Sequence, residues 1–260
     1  MKTFSKDELK AELIKIREKG FVPNSRRGNS GGIGNTMEDL LGIEENNLPI
    51  PNATEWELKC QRIGTTSLTT LFHFEPSPTV MKLVPSELLP LYGWKHAKAG
   101  IVYPETEMSF RQTIHGLEHS DRGFQVVVDE KQQKILVSFD ARFVSEKHVK
   151  WLESVRKRVG VGELEPQPYW GFNDLFHKAG TKLLNCFYIR AQVKRIKGQD
   201  YYHYTDILML KNFSLSKFLN GIKLGYVLVD FDARTGHNHG TKFRLRQNHF
   251  PDLYDPVESI

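Results

Sequence analysis

Leu9, Leu13 and Ile16 recur at helical spacing behind a Ser5/Glu8 capping box, which predicts an amphipathic helix ended by Gly20. A second helix is expected to open at Thr36, with Met37, Leu40 and Leu41 on its buried side, Glu38 in its first turn and Gly42 closing it. The period then switches to two. From Pro51 to Cys60 the apolar Trp56, Leu58 and Cys60 alternate with Glu55, Glu57 and Lys59, as on a strand with one buried and one polar face. Ser67 to Phe74 reads as the next strand, pairing with the acidic one and bringing His73 to it. Phe124 to Val128 and Ile135 to Phe139 make a hairpin, and Cys186 to Val193 with Tyr201 to Leu208 make another. Helices are expected near Pro85 to Leu91, Lys147 to Val159, Asn173 to Leu184 and Ser214 to Leu219. A strand from Gly225 to Asp232 leads into a polar loop.

Composition narrows the class. With 260 residues, 39% hydrophobic and 26% charged, the chain has core material for one large α/β domain or two lobes, and it is not of disordered type. A formal charge of +5 favours a polyanionic partner such as nucleic acid. Cys60 and Cys186 stand far apart with no Cys-x-x-Cys, so neither a disulfide framework nor a thiolate zinc site is indicated, and a reducing compartment fits. No apolar run reaches membrane-spanning length and no apolar signal region follows Met1, so a cytoplasmic protein without a membrane partner is expected.

The polar face of the acidic strand is the first candidate site. Carboxylates and an ammonium on one face can hold a divalent cation and a water beside a phosphodiester; oxygen ligands suit Mg²⁺, and a lysine can orient or help deprotonate the water. This is the Glu-x-Lys half of the nuclease pattern PD-(D/E)xK, with Pro51-Asn52 standing before it. The same letters at Glu8-Leu9-Lys10 fall on an amphipathic helix, so the strand context carries the weight. A second candidate is the basic, glycine-rich run from Ser25 to Asn35, where Arg26 and Arg27 beside a helix start suit a DNA phosphate. The third is the loop from Arg234 to Arg246. His237, His239 and Arg244, with Asp230 and Asp232 just before them, suit base-edge readout, because arginine makes two bonds to guanine and a carboxylate accepts from cytosine.

Two motifs mislead. His237-Asn238-His239 is contiguous, whereas the HNH nuclease motif is dispersed over a ββα unit. His115-Gly116-Leu117-Glu118-His119 matches the H-x-x-E-H of inverzincin peptidases, but Gly116 and the turn from Ser120 to Gly123 argue against the helix that chemistry needs.

The run from Arg27 to Leu41 (Arg27-Gly28-Asn29-Ser30-Gly31-Gly32-Ile33-Gly34-Asn35-Thr36-Met37-Glu38-Asp39-Leu40-Leu41), then Glu45-Asn46-Asn47-Leu48, Pro51, Glu57-Leu58-Lys59 and Ser67 to His73, closely resembles the MvaI and BcnI restriction endonucleases, relatives of the mismatch-repair nicking enzyme MutH. The resemblance continues through Tyr169-Trp170-Gly171-Phe172 and ends at His237 to Arg244. It implies a restriction-endonuclease-like (MutH-like) mixed β-sheet flanked by helices, with two lobes around a DNA cleft, the catalytic lobe near 1–168 and the recognition lobe near 169–260. It implies a Mg²⁺-dependent type II enzyme, with Ca²⁺ as a non-catalytic substitute, acting on double-stranded DNA as a monomer. That enzyme nicks one strand at a time at a short C/G-rich, CCNGG-like site, in the bacterial cytoplasm beside a cognate DNA methyltransferase. Glu57 and Lys59 match the catalytic pair, Leu58 the residue whose carbonyl reaches the metal, and Glu38 the helix-borne acid. His73 and His239 match histidines near the reacting phosphate, and Arg244 an arginine of the recognition loop. The alternatives are a MutH-like repair nickase or a sequence-specific DNA binder without catalysis.

One departure matters. Asn52 stands where the resemblance implies the first metal-ligating Asp, and a neutral amide cannot replace the charge that draws Mg²⁺. Either Glu55 substitutes, or the enzyme is naturally weakened, or the chain is an altered form able to hold DNA uncut; the last is the expectation.

Overall fold

The computed structural model describes residues 4–26, 32–43 and 56–260, so Arg27, Asn52 and Glu55 lie outside the described residues. The chain forms two compact units. One comprises Met1–Ser67, Ala179–Ser214 and Phe250–Ile260, the other Leu68–Lys178 and Leu215–His249. The crossings fall after residues 67, 178, 214 and 249, none of them the boundary after 168 expected from sequence. Strand pairing explains why: the five- and six-stranded sheets each join segments distant in sequence.

The first unit holds a five-stranded sheet ordered Val22–Pro23, Gln199–Leu210, Cys186–Ile196, Glu57–Arg62, with Val257–Ser259 also paired to Gln199–Leu210. Helices Lys6–Glu18 and Gly32–Leu41 bury Leu9, Leu13, Ile16, Met37 and Leu41 in one core with Trp56, Leu58, Phe187 and Ile189. The capping box forms, Glu8 donating its N–H to Ser5 Oγ and Ser5 donating its N–H back to Glu8 Oε2 at 2.9 Å. The second helix starts at Gly32, a turn earlier than expected, which moves Glu38 beyond its first turn. A Cβ on Gly32 would lie 2.6 Å from the Tyr202 hydroxyl, and the Ile33 carbonyl accepts from Tyr204 Oη at 2.8 Å.

Glu57–Arg62 runs parallel to Cys186–Ile196, Glu57 opposite Cys186 and Lys59 opposite Tyr188. Its expected neighbour does not pair with it. Leu68–His73 instead joins the second unit's sheet, antiparallel to Lys242–Arg246, because its buried Phe72 packs against Phe243 and Phe218 at 5.1 and 5.9 Å.

That second sheet has six strands, ordered Leu68–His73, Lys242–Arg246, Val227–Arg234, Met108–His115, Trp94–Lys95, with His237–Asn238 paired on Val227–Arg234. One face is apolar: Phe72, Phe110, Ile114, Val229, Phe231, Phe243 and Leu245 are buried. Each such side chain contributes about 1.5–3 kcal/mol, and a one-residue slip would expose the whole set, so the register is fixed. The opposite face therefore has to carry Arg111, Thr113, Asp230, Asp232, Lys242 and Arg244. A three-stranded sheet of Arg122–Asp129, Lys134–Val144 and Tyr169–Gly171 completes the unit. His115 ends a strand and Glu118 lies in the bend beyond it, so the H-x-x-E-H letters do not share a helix.

Candidate active site

In the first unit, strand alternation sends Trp56 and Leu58 into the core and turns Glu57 and Lys59 the other way together. Lys59 Nζ lies 2.7 Å from Glu57 Oε1, and Lys182 Nζ, on helix Phe172–Leu183, lies 3.9 Å from the same oxygen. Glu57 is only 2% exposed. Burying a carboxylate costs several kcal/mol unless it is paired, so the lysines are what let it sit there. Its other oxygen, Oε2, is buried and has no hydrogen-bond partner among the described residues. Beside it the Tyr188 hydroxyl donates to Gln61 Oε1, and burial pushes the Cys186 thiol well above its ordinary range.

Glu38 sits on the helix packed against the Trp56 and Leu58 side of the strand. Its charge is felt at Cys60, whose thiol is raised first by burial and then by Glu38. The Arg26 guanidinium bonds to Asp39 at 2.8 Å, and Arg26, followed by the Ser25 hydroxyl, holds that carboxyl below its usual range.

In the second unit the structure brings together His73, Asp230, Asp232, His237, His239 and Arg244. Asp230 accepts from Thr113 Oγ1 at 2.7 Å and from Arg244 Nη1 at 3.3 Å, while Arg244 Nη2 donates to the Leu68 carbonyl at 3.1 Å. Held at those two nitrogens, the guanidinium is set before any ligand arrives. Asp232 is flanked by Lys242 at 3.2 Å and Arg111 at 3.3 Å. The His237 and His239 rings are 6.2 Å apart and within 15° of parallel, and His73 lies against Gly240, 3.4 Å from where a Cβ would stand. Arg111, Thr113, Lys242, Glu75 and Lys182 were not singled out from the sequence. Phe110 and Ile114 alternating with Arg111 and Thr113 was the signal available for two of them.

Among the described residues no group of three or more His, Cys, Asp or Glu side chains is placed to hold a metal ion. Glu57 fits the role of one ligand, since its Oε2, without a partner among the described residues, calls for a cation or a donor. Asn52, the other expected side-chain ligand, is not among the described residues.

A strand-borne glutamate paired with the lysine two residues on, within a mixed α/β protein, is the Glu-x-Lys arrangement expected from the sequence. The sequence profile of the MvaI/BcnI restriction endonuclease family matches residues 10–254, and the chain belongs to that family. Two solved structures share the fold. The restriction endonuclease MvaI–cognate DNA substrate complex is 23% identical, with 99% of each chain covered and a TM-score of 0.75. The restriction endonuclease MvaI in the absence of DNA is 22% identical over 100% of each chain, with a TM-score of 0.56. A comparison with curated proteins finds no match. The family and the mixed α/β class expected from sequence are both borne out.

Proposed function

We propose that this chain is a type II restriction endonuclease that hydrolyses phosphodiester bonds of double-stranded DNA at a short C/G-rich site, as a monomer nicking one strand at a time with Mg²⁺ as cofactor. The observation that carries the reading is buried Glu57, tied to Lys59 through one oxygen and, among the described residues, without a hydrogen-bond partner at the other. The relative solved with its cognate DNA substrate supports DNA as the partner. Glu57 Oε2, the Leu58 carbonyl and the side chain at position 52 would hold the cation. When bound, Mg²⁺ neutralises charge building on the phosphate and acidifies water at the site. Lys59 Nζ donates to Glu57 Oε1, holding the carboxylate in place, and its remaining protons orient a water or a phosphate oxygen. In the second unit His73, His237 and His239 offer imidazole donors to DNA and Arg244 reads guanine. A cognate methyltransferase would protect the host's own sites.

A second reading has a specific observation behind it: the amide of Asn52 favours sequence-specific binding without cleavage. Supercoiled plasmid incubated with Mg²⁺ separates the two. Asn52→Asp is expected to gain nicking that EDTA abolishes and Glu57→Gln removes. If neither the Asp nor the Asn form cuts any of several target-rich plasmids, while both still bind them, the binder reading replaces the nuclease one.

A further inference from the structure

We propose that Glu75 and Asn238 form a clamp that positions His237 and His239 toward DNA; this rests on the reading above that their loop contacts DNA. The tip from Gly236 to Thr241 is strand-like at His237–Asn238, so the side chains of His237 and Asn238 take opposite sides, and the His239 ring lies 6.2 Å from that of His237 and within 15° of parallel. Asn238 is tied at both ends of its amide. Its Oδ1 accepts from the Gly240 N–H at 3.0 Å, and its Nδ2 donates to Glu75 Oε1 at 3.2 Å.

The same Glu75 oxygen accepts from the Thr241 N–H at 2.9 Å, and Oε2 accepts from Thr241 Oγ1 at 3.0 Å. Thr241 is 1% exposed, and its carbonyl accepts from the Phe74 N–H at 2.9 Å, so the base of the loop is anchored. The His239 N–H donates to the Asp232 carbonyl at 2.9 Å, and Gly236 and Gly240, at φ 71° and 82°, make the turns on either side. With Asn238 held by Glu75, its two neighbours form a nearly parallel pair of rings. A carboxylate repels phosphate, so a role as a phosphate contact does not explain Glu75. Three bonds into the loop do, and bonds to an ionised acceptor are roughly twice as strong as neutral ones.

The test compares Glu75→Ala, Glu75→Gln, Asn238→Ala and the double change His237→Ala/His239→Ala. The probes are the short duplex that the unchanged protein selects from a randomised library, and the single-base-pair variants of that duplex. Binding is read by fluorescence anisotropy with Ca²⁺ in place of Mg²⁺, and folding by thermal unfolding. Glu75→Ala and Asn238→Ala are expected to cut the ratio of selected to altered-duplex affinity about tenfold while affinity for the altered duplexes holds. Glu75→Gln restores the ratio, because Gln keeps the Oε1 acceptor and donates from Nε2 to Thr241 Oγ1. Should Glu75→Ala unfold, Asn238→Ala decides alone. If the double histidine change lowers the ratio and the clamp variants do not, or if they weaken all duplexes equally, the clamp is wrong and the loop still reads DNA. If the double histidine change also leaves the ratio intact, the loop does not read DNA and both ideas fall.

Discussion

Replacing Lys59 by Met tests whether the Glu57–Lys59 pair is kept for chemistry or for stability. At an effective dielectric near 20, opposite charges at the observed 2.7 Å attract by roughly 6 kcal/mol and at 3.9 Å by roughly 4 kcal/mol. Lys59→Met deletes the larger attraction and leaves Glu57 buried with Lys182 as its remaining cation among the described residues. Removing one partner of a buried pair typically costs about 3–5 kcal/mol, and Lys182 can move in, so a net loss of about 2–4 kcal/mol is expected. The double change Glu57→Gln/Lys59→Met removes the orphaned charge as well and should recover most of that loss, since neutral replacements of buried pairs are often no worse than the pair. Urea unfolding followed by circular dichroism at neutral pH, run as a full double-mutant cycle, measures both quantities. Plasmid cleavage, in an Asn52→Asp background if needed, should vanish in all three variants. A Lys59→Met protein as stable as the unchanged chain would mean that water or another group already neutralises Glu57, and the reasoning would fail. A double variant even less stable than the single would make the pair structural.

Other measurements bear on other parts of the molecule. Arg244→Ala should lower discrimination between the selected duplex and its variants by about 1–3 kcal/mol, whereas a uniform loss across sequences in anisotropy titrations would make Arg244 a phosphate contact. Asp39, held low first by Arg26 and then by Ser25, and Asp121, held low first by Lys147, contribute stability that is present above the ordinary carboxylate pKa and lost as pH falls through their lowered values. Asp39→Asn should therefore flatten the fall in urea midpoint between about pH 5 and about pH 2, and an unchanged slope would count against the Arg26 pairing. With its thiol raised by burial, Cys186 should resist iodoacetamide in the native protein and react on unfolding, as peptide mass mapping would reveal.

Local pattern was legible where the signal is local. The capping box at Ser5 and Glu8, the Leu9-Leu13-Ile16 stripe and the alternation about Glu57 all formed as read. What sequence could not convey was pairing between distant strands. Leu68–His73 follows Glu57–Arg62 closely, and neighbours in sequence usually pair, yet the first finds Lys242–Arg246 and the second finds Cys186–Ile196. The same non-local pairing hid the company Glu57 keeps: Lys182 reaches it from a helix far along the chain. Nor does alternation report depth. Glu57 was read as lying on an open polar face and is instead buried, because a period of two says which side a residue takes and not what covers that side.

The four crossings between the units have a consequence for anyone who wishes to redesign this molecule. Neither unit is a continuous stretch of gene, so no single truncation yields either one, and a nonsense codon anywhere before the final segment removes part of the Glu57 unit's own sequence. Transplanting the Asp230–Arg244 sheet into a relative would require exchanging Leu68–Lys178 and Leu215–His249 in the same step, since each of these segments supplies strands that the other needs to close its ladder.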